Sequence, residues 1–124
     1  MEENKKNHSL KKSFYCAFRG LNKALKSERN LRIHFCLALV AILLGILLKI
    51  SKTEWLFLIM IIALVLIVEM VNTAVEKILN LVCKDTNGQV RFIKDLFAAI
   101  VLIAALGSVI LGSIIFIPKI IGLF

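Results

Sequence analysis

Residues 55–68, WLFLIMIIALVLIV, contain no charged side chain and continue directly into EMVNTAVE at 69–76. A helix needs about 20 apolar residues to cross a bilayer, so this segment must run past Glu69 to complete a span. LFAAIVLIAALGSVILGSIIFI at 96–117 is also uncharged, and the shorter IHFCLALVAILLGILL lies at 33–48. Hydrophobic residues fill 60% of the 124 positions. The sequence therefore predicts a single-domain, all-α integral membrane protein. Its transmembrane helices are expected at 31–50, 55–82 and 93–119.

The basic residues are distributed unevenly along the chain. Nine of the sixteen precede the apolar run at 33–48, four lie between the runs at 55–68 and 96–117, and three remain for the other side. Cytoplasmic segments carry the excess of Lys and Arg. We therefore expect a multi-pass protein of the cell membrane with a cytoplasmic N-terminus, a cytoplasmic 83–92 loop and an outside C-terminus. Topology and anionic lipid headgroups account for the net charge of +8, so no nucleic-acid partner is predicted.

The segment before the first span has the pattern of an amphipathic helix, expected at 8–29. Its apolar residues are spaced by four, four, three and four positions, which places them on one helix face. They are Leu10, Phe14, Phe18, Leu21 and Leu25. Such a helix can lie in the cytoplasmic membrane interface. It can equally pack on the helix bundle, because amphipathicity alone does not separate the two arrangements.

Polar residues follow the apolar run of the second span. Glu69, Asn72 and Glu76 have the three-then-four spacing that shares one helix face. Insertion of an ionisable group into the membrane core costs a few kcal/mol, so such groups usually face a bundle interior or an aqueous cleft. Glu76, considered by itself, could lie at the cytoplasmic end of the span and extend its carboxylate into water. No cation lies within a helical turn of Glu69, and a functional role is therefore the expectation for this glutamate.

Three further charged residues, Glu28, Lys94 and Asp95, are predicted at the cytoplasmic depth of Glu76. Two carboxylates with phosphate oxygens and waters suit Mg²⁺, and a lysine suits nucleotide phosphates. Deeper in the membrane, Glu69 suits proton abstraction from a hydroxyl. These features describe a lipid kinase, although GxxxxGKS, GxxxxGKT, GxGxxG, HRD and DFG are all absent from the sequence. A proton-coupled transporter with Glu69 as relay, or a structural membrane protein, would also explain them.

Several blocks of the sequence resemble one known family. They are VEMVNTAVEKI, AFRGLNKALKSERNLRIHF at 17–35, Lys94-Asp95 followed by AAIVLIAA, and the terminal IIFIPK. Together they resemble the small prokaryotic membrane diacylglycerol kinase family. The first and last blocks in chain order, at 17–35 and 114–119, are most similar to its Gram-positive undecaprenol kinase branch.

The resemblance implies a homotrimer of three-span subunits, each with an amphipathic surface helix, and sites formed between subunits. It implies that Glu69 is the base that takes the proton of the lipid hydroxyl, with Asn72 also near the substrate. Glu28 and Glu76 are expected to hold the Mg²⁺ of the Mg²⁺–ATP complex. The expected ATP-binding residues are Glu28, Glu76, Asp85, Lys94 and Asp95.

The same resemblance predicts phosphorylation of undecaprenol to undecaprenyl phosphate at the cytoplasmic face. The alternative is a diacylglycerol kinase that makes phosphatidic acid. Three positions depart from the family pattern and concern nucleotide binding. Asn87 stands where histidine is common, Asn80 where aspartate is usual, and Cys16 where an aromatic residue is frequent.

Overall fold

The structure, a computed structural model, describes residues 2–82 and 88–122, and this part of the chain forms four α-helices. In order they are α1 Glu2–Ser27, α2 Arg29–Leu47, α3 Lys52–Val82 and α4 Gly88–Gly122. The last three are each long and apolar enough to cross a membrane. The predicted all-α architecture with three membrane-spanning helices is confirmed.

Helix bounds differ from the expected ones by several residues. α1 begins at Glu2 rather than at residue 8, because Glu and Lys are good helix formers and favour continuation of the helix. α4 begins at Gly88 rather than at residue 93, and Val90 in its first turn is buried. Residues 88–92 of the expected loop are therefore helical. Burial of Val90 stabilises this turn. A prediction based only on stretches without charged residues does not detect such a contact.

α2 ends in a Schellman motif at Leu47, earlier than the expected residue 50. The Ile50 N–H donates to the Gly45 carbonyl at 3.2 Å, and the Lys49 N–H donates to the Ile46 carbonyl at 3.4 Å. These bonds satisfy carbonyls that the end of the helix leaves unpaired. Lys49 adopts the left-handed conformation, with φ of 52°, a position that glycine fills more easily.

α3 begins at a capping box formed by Ser51 and Glu54. The Ser51 N–H donates to Glu54 Oε1 at 3.0 Å, and the Glu54 N–H donates to Ser51 Oγ at 3.2 Å. Reciprocal bonds of this kind satisfy two free backbone donors at a helix start. Lys119 Nζ lies 3.3 Å from Glu54 Oε1, so the end of α4 is tied to the beginning of α3.

A small apolar core holds the three long helices together near this end. Ile50, Leu58 and Ile115 are buried in it. Gly45 lies against Trp55, and a Cβ added at Gly45 would come within 2.8 Å of the indole ring. Most other large apolar side chains on these helices are exposed, as expected for helices whose outer faces contact lipid.

At the opposite end, Glu28 in an extended conformation separates α1 from α2. Arg32 Nη1 donates to the carbonyls of Leu25 and Lys26, at 3.1 and 2.8 Å, and so pairs carbonyls in the last turn of α1. Leu31 is fully buried there. Leu10, Phe14 and Phe18 are each more than half exposed. Residues 9–20 are all exposed, so the described part of the chain leaves the apolar face of this stretch of α1 uncovered.

Candidate active site

Glu69 is buried in α3, with 3% of its surface exposed. One helical turn further along α3, Thr73 Oγ1 donates to the Glu69 backbone carbonyl at 3.1 Å. His34 of α2 brings its Nε2 to 3.8 Å from Glu69 Oε2. The spacing of residues along α3 alone does not indicate this partner from another helix. A signal for His34 was present in the sequence, since it is the one residue within 33–48 that can carry a positive charge.

Asn72 follows Glu69 by three residues, and its Oδ1 atom is buried. No donor in the described ranges 2–82 and 88–122 pairs with that oxygen. A buried amide oxygen without a partner costs about 1–3 kcal/mol. An acceptor left in this state beside a buried carboxylate suits a ligand that brings its own hydrogen-bond donor.

Glu28 and Glu76 both belong to the end of the bundle where α1 meets α2. Glu28 precedes α2 in an extended conformation and is half-buried. Its Oε1 lies 3.6 Å from Nζ of Lys77, the residue that follows Glu76. Glu76 lies seven residues beyond Glu69 in α3, which places these two glutamates on one helix face. We refer to Glu28 and Glu76 as the surface acidic region and to the three glutamates together as the acidic region.

The half-buried Lys94 of α4 contacts α3 through Asn80. Lys94 Nζ donates to Asn80 Oδ1 at 3.2 Å. Asn80 is one of the positions that depart from the family pattern, and its neutral amide orients the lysine without cancelling its charge. The adjacent Asp95 is exposed. Cys16 is exposed on α1. Asp85 and Asn87 lie outside the described residues.

The acidic region is compatible with a magnesium ion brought by a nucleotide. Among the described residues, no group of three or more His, Cys, Asp or Glu side chains converges as a metal cluster. Mg²⁺ commonly takes one or two protein carboxylates and completes its shell with waters and phosphate oxygens. The carboxylates of Glu28 and Glu76 fit that donor set.

An apolar cleft of about 180 Å³ opens between α2, α3 and α4. Its lining includes His34 near the start of α2, Leu66 of α3 and Val109 of α4, and it reaches Leu58 and Phe116 towards the other end. Because His34 also faces Glu69, the cleft and the buried glutamate adjoin each other.

Residues 15–116 match the family model described as prokaryotic diacylglycerol kinase. The chain belongs to the prokaryotic diacylglycerol kinase family. It is 32% identical to the undecaprenol kinase of Bacillus subtilis over 108 residues, covering 87% of this chain and 88% of that protein. It is 31% identical to the diacylglycerol kinase of a Synechocystis species over 112 residues, covering 90% of this chain and 64% of that protein.

Membership of this kinase family identifies the protein as a lipid kinase of the membrane. The resemblance drawn from the sequence blocks is confirmed. A proton-coupled transporter, the alternative that the buried glutamate left open, gains no support from these relatives.

Proposed function

We propose that the protein is an ATP- and magnesium-dependent kinase that phosphorylates undecaprenol at the cytoplasmic membrane face. The observation that carries the proposal is that two buried acceptors lie on one face of α3. They are the Glu69 carboxylate and the Asn72 Oδ1 atom, which has no hydrogen-bond partner among the described residues. Through His34, Glu69 also adjoins an apolar cleft that could take a lipid tail. The Bacillus undecaprenol kinase, similar over almost its whole length, supports this choice of substrate.

In the proposed reaction, Glu69 accepts the proton of the lipid hydroxyl. The hydroxyl oxygen then forms a bond to the γ-phosphorus of ATP, while the bond from that phosphorus to the bridging oxygen of ADP breaks. The products are undecaprenyl phosphate and ADP, and the proton remains on Glu69. A positioned carboxylate that takes a proton in this way accelerates a reaction typically by about 10²–10⁴-fold.

The proposed nucleotide site occupies the surface acidic region. Glu28 and Glu76 would hold the magnesium of the Mg²⁺–ATP complex, which when bound neutralises charge on the phosphates. Lys94, oriented by Asn80, would contact the phosphates, with Asp95 beside it. Asp85 is the further acidic residue proposed for this site. Placement of cations and carboxylates side by side suits a bound metal–phosphate complex, which carries charges of both signs.

We place the N-terminus and the 83–92 segment in the cytoplasm and the C-terminus outside. Thirteen of the sixteen basic residues then face the cytoplasm, in accordance with the positive-inside rule. The homotrimer and the sites formed between subunits are proposed from the family resemblance. The exposed side chains of Leu10, Phe14 and Phe18 are compatible with either lipid or a neighbouring subunit.

Diacylglycerol is the second candidate substrate. The Synechocystis relative carries the name diacylglycerol kinase and is almost as similar in identity as the Bacillus protein. Phosphorylation of diacylglycerol would use the same groups and would yield phosphatidic acid. The two substrates differ in the part of the molecule next to the hydroxyl, which is a single isoprenoid chain in one and a glycerol diester in the other.

Transfer of the terminal phosphate can be tested directly with purified protein in detergent. The protein is incubated with undecaprenol, magnesium and ATP labelled on the γ-phosphate, and the lipid is extracted. We expect label in the lipid phase, its loss when EDTA removes magnesium, and no lipid label when ATP carries the label on the α-phosphate. An unlabelled lipid phase with undecaprenol, and with diacylglycerol in a parallel sample, would contradict the proposal.

A further inference from the structure

His34 is the one ionisable group that another helix brings within 4 Å of the Glu69 carboxylate among the described residues. The separation of 3.8 Å is too long for a direct N–H···O hydrogen bond, for which about 2.7–3.2 Å is normal. It is short enough for one small oxygen to lie within hydrogen-bond distance of both atoms. The His34 side chain is 19% exposed and the Glu69 side chain 4%, so His34 forms the accessible side of this pair.

His34 also lines the apolar cleft between α2, α3 and α4. Ser108 contributes the other polar side chain in the described lining, but its hydroxyl already donates to the Ala105 carbonyl at 2.7 Å. The remaining lining is aliphatic or aromatic, apart from Gly112. Because the Ser108 proton is already used, a ligand oxygen in the cleft that needs a hydrogen-bond donor finds one at His34.

The volume of the cleft indicates how much of a ligand it holds. About 180 Å³ is less than the about 300–1,000 Å³ of pockets that enclose a drug-sized ligand, so the cleft can take the hydroxyl end of an isoprenoid alcohol but not the whole chain. The rest of a long isoprenoid chain would extend into the bilayer. A glycerol carrying two ester groups would instead bring additional polar atoms to an apolar surface, where each unpaired one is costly.

We propose that His34 binds the hydroxyl of an isoprenoid alcohol whose first unit occupies this cleft. This inference rests on the proposed kinase function and specifies its acceptor site. A hydroxyl has one proton to donate and two lone pairs that accept. It donates to Glu69 and accepts from the N–H at His34 Nε2, which leaves its second lone pair to approach the phosphorus. His34 thus fixes the direction of attack, while Glu69 takes the proton.

Three variants separate a hydrogen-bonding role from a structural one. In His34→Gln the side-chain amide reaches the place of Nε2 and retains an N–H donor, whereas in His34→Asn the same amide is too short. His34→Leu fills the space without a donor. Leu39→Val, on the exposed side of α2, is the control. If His34→Leu does not fold, comparison of His34→Gln with His34→Asn still separates the two roles.

Equilibrium binding of farnesol in detergent micelles, without ATP, measures the acceptor site alone. Farnesene, which lacks the hydroxyl, is the matched ligand. We expect His34→Leu and His34→Asn to bind farnesol about tenfold more weakly, which is the factor that corresponds to 1.4 kcal/mol and is close to the loss of one hydrogen bond. Affinity for farnesene stays unchanged, and His34→Gln and Leu39→Val bind both ligands as the wild type does.

The kinetic counterpart is a rise of about tenfold in the KM for undecaprenol in His34→Asn, with the KM for ATP unchanged. Equal weakening of farnesol binding in the Gln and Asn variants would overturn the inference, as would a matching rise in the KM for ATP. If the wild type transfers phosphate but none of the three variants changes farnesol binding, the role of His34 is refuted and the kinase proposal stands. Variant-sensitive farnesol binding without any phosphate transfer would refute the kinase proposal and retain the hydroxyl site.

Discussion

Replacement of Glu69 by Gln removes the proposed proton acceptor without changing side-chain size. Loss of a positioned base lowers the rate by about 10²–10⁴-fold, which corresponds to about 2.7–5.4 kcal/mol in the activation free energy at 1.36 kcal/mol per tenfold. We expect a loss in the upper part of this range. Glu69 is only 3% exposed, so bulk water has little access to replace it as the base.

The same substitution should leave the fold intact. A neutral amide is cheaper to bury than a carboxylate, which offsets the lost attraction to His34, whose Nε2 lies 3.8 Å from the Glu69 carboxylate. The expected result is therefore a large fall in kcat with an unchanged or higher midpoint of thermal unfolding. ATP binding, measured separately, should stay close to that of the wild type because the nucleotide site lies nearer the membrane surface.

Glu54→Gln is the matched control at the other end of α3. It removes the ion pair with Lys119, and ion pairs exposed to solvent add little to stability. Initial rates are measured for both variants at saturating ATP, magnesium and lipid. Glu54→Gln should keep its activity. A Glu69→Gln rate within tenfold of the wild type, in a preparation where the control is normal, would remove Glu69 from the role of base.

Glu28→Gln and Glu76→Gln should each raise the magnesium concentration for half-maximal activity severalfold, and an unchanged magnesium titration in both would make the metal assignment wrong. Gly45→Ala should lower the free energy of unfolding by about 1–3 kcal/mol through overpacking, because its Cβ would lie 2.8 Å from Trp55; an unaltered denaturation midpoint would contradict that contact. In a background without the native cysteines, Lys52→Cys should react with an impermeant maleimide from outside whole cells, and labelling only after lysis would reverse the topology.

The spans and the polar face of α3 could be predicted because each depends on one helix. An unbroken apolar run identifies a membrane span, and the spacing of Glu69, Asn72 and Glu76 places them on one face whatever surrounds that helix. The capping box was also present in the sequence, as Ser51 and Glu54 separated by two residues. These features need no knowledge of how the helices pack.

Contacts between helices could not be predicted in the same way. Each requires the rotation and offset of two helices, which periodicity along either one does not provide. His34 reaches Glu69 from α2, and Asn80 pairs with Lys94 across α3 and α4. The left-handed conformation at Lys49 was equally hidden, because a lysine gives no local signal for a position that glycine usually fills.

The most direct test of the account compares undecaprenol and diacylglycerol as acceptors in one detergent at matched mole fractions. We expect a higher kcat/KM for undecaprenol, since the cleft beside Glu69 suits a single isoprenoid chain and its described lining offers ester carbonyls only two polar side chains, His34 and Ser108. Pockets that differ by a methylene separate substrates by about 10–200-fold, so a preference of this order is expected. An equal or higher kcat/KM for diacylglycerol would contradict the proposed acceptor.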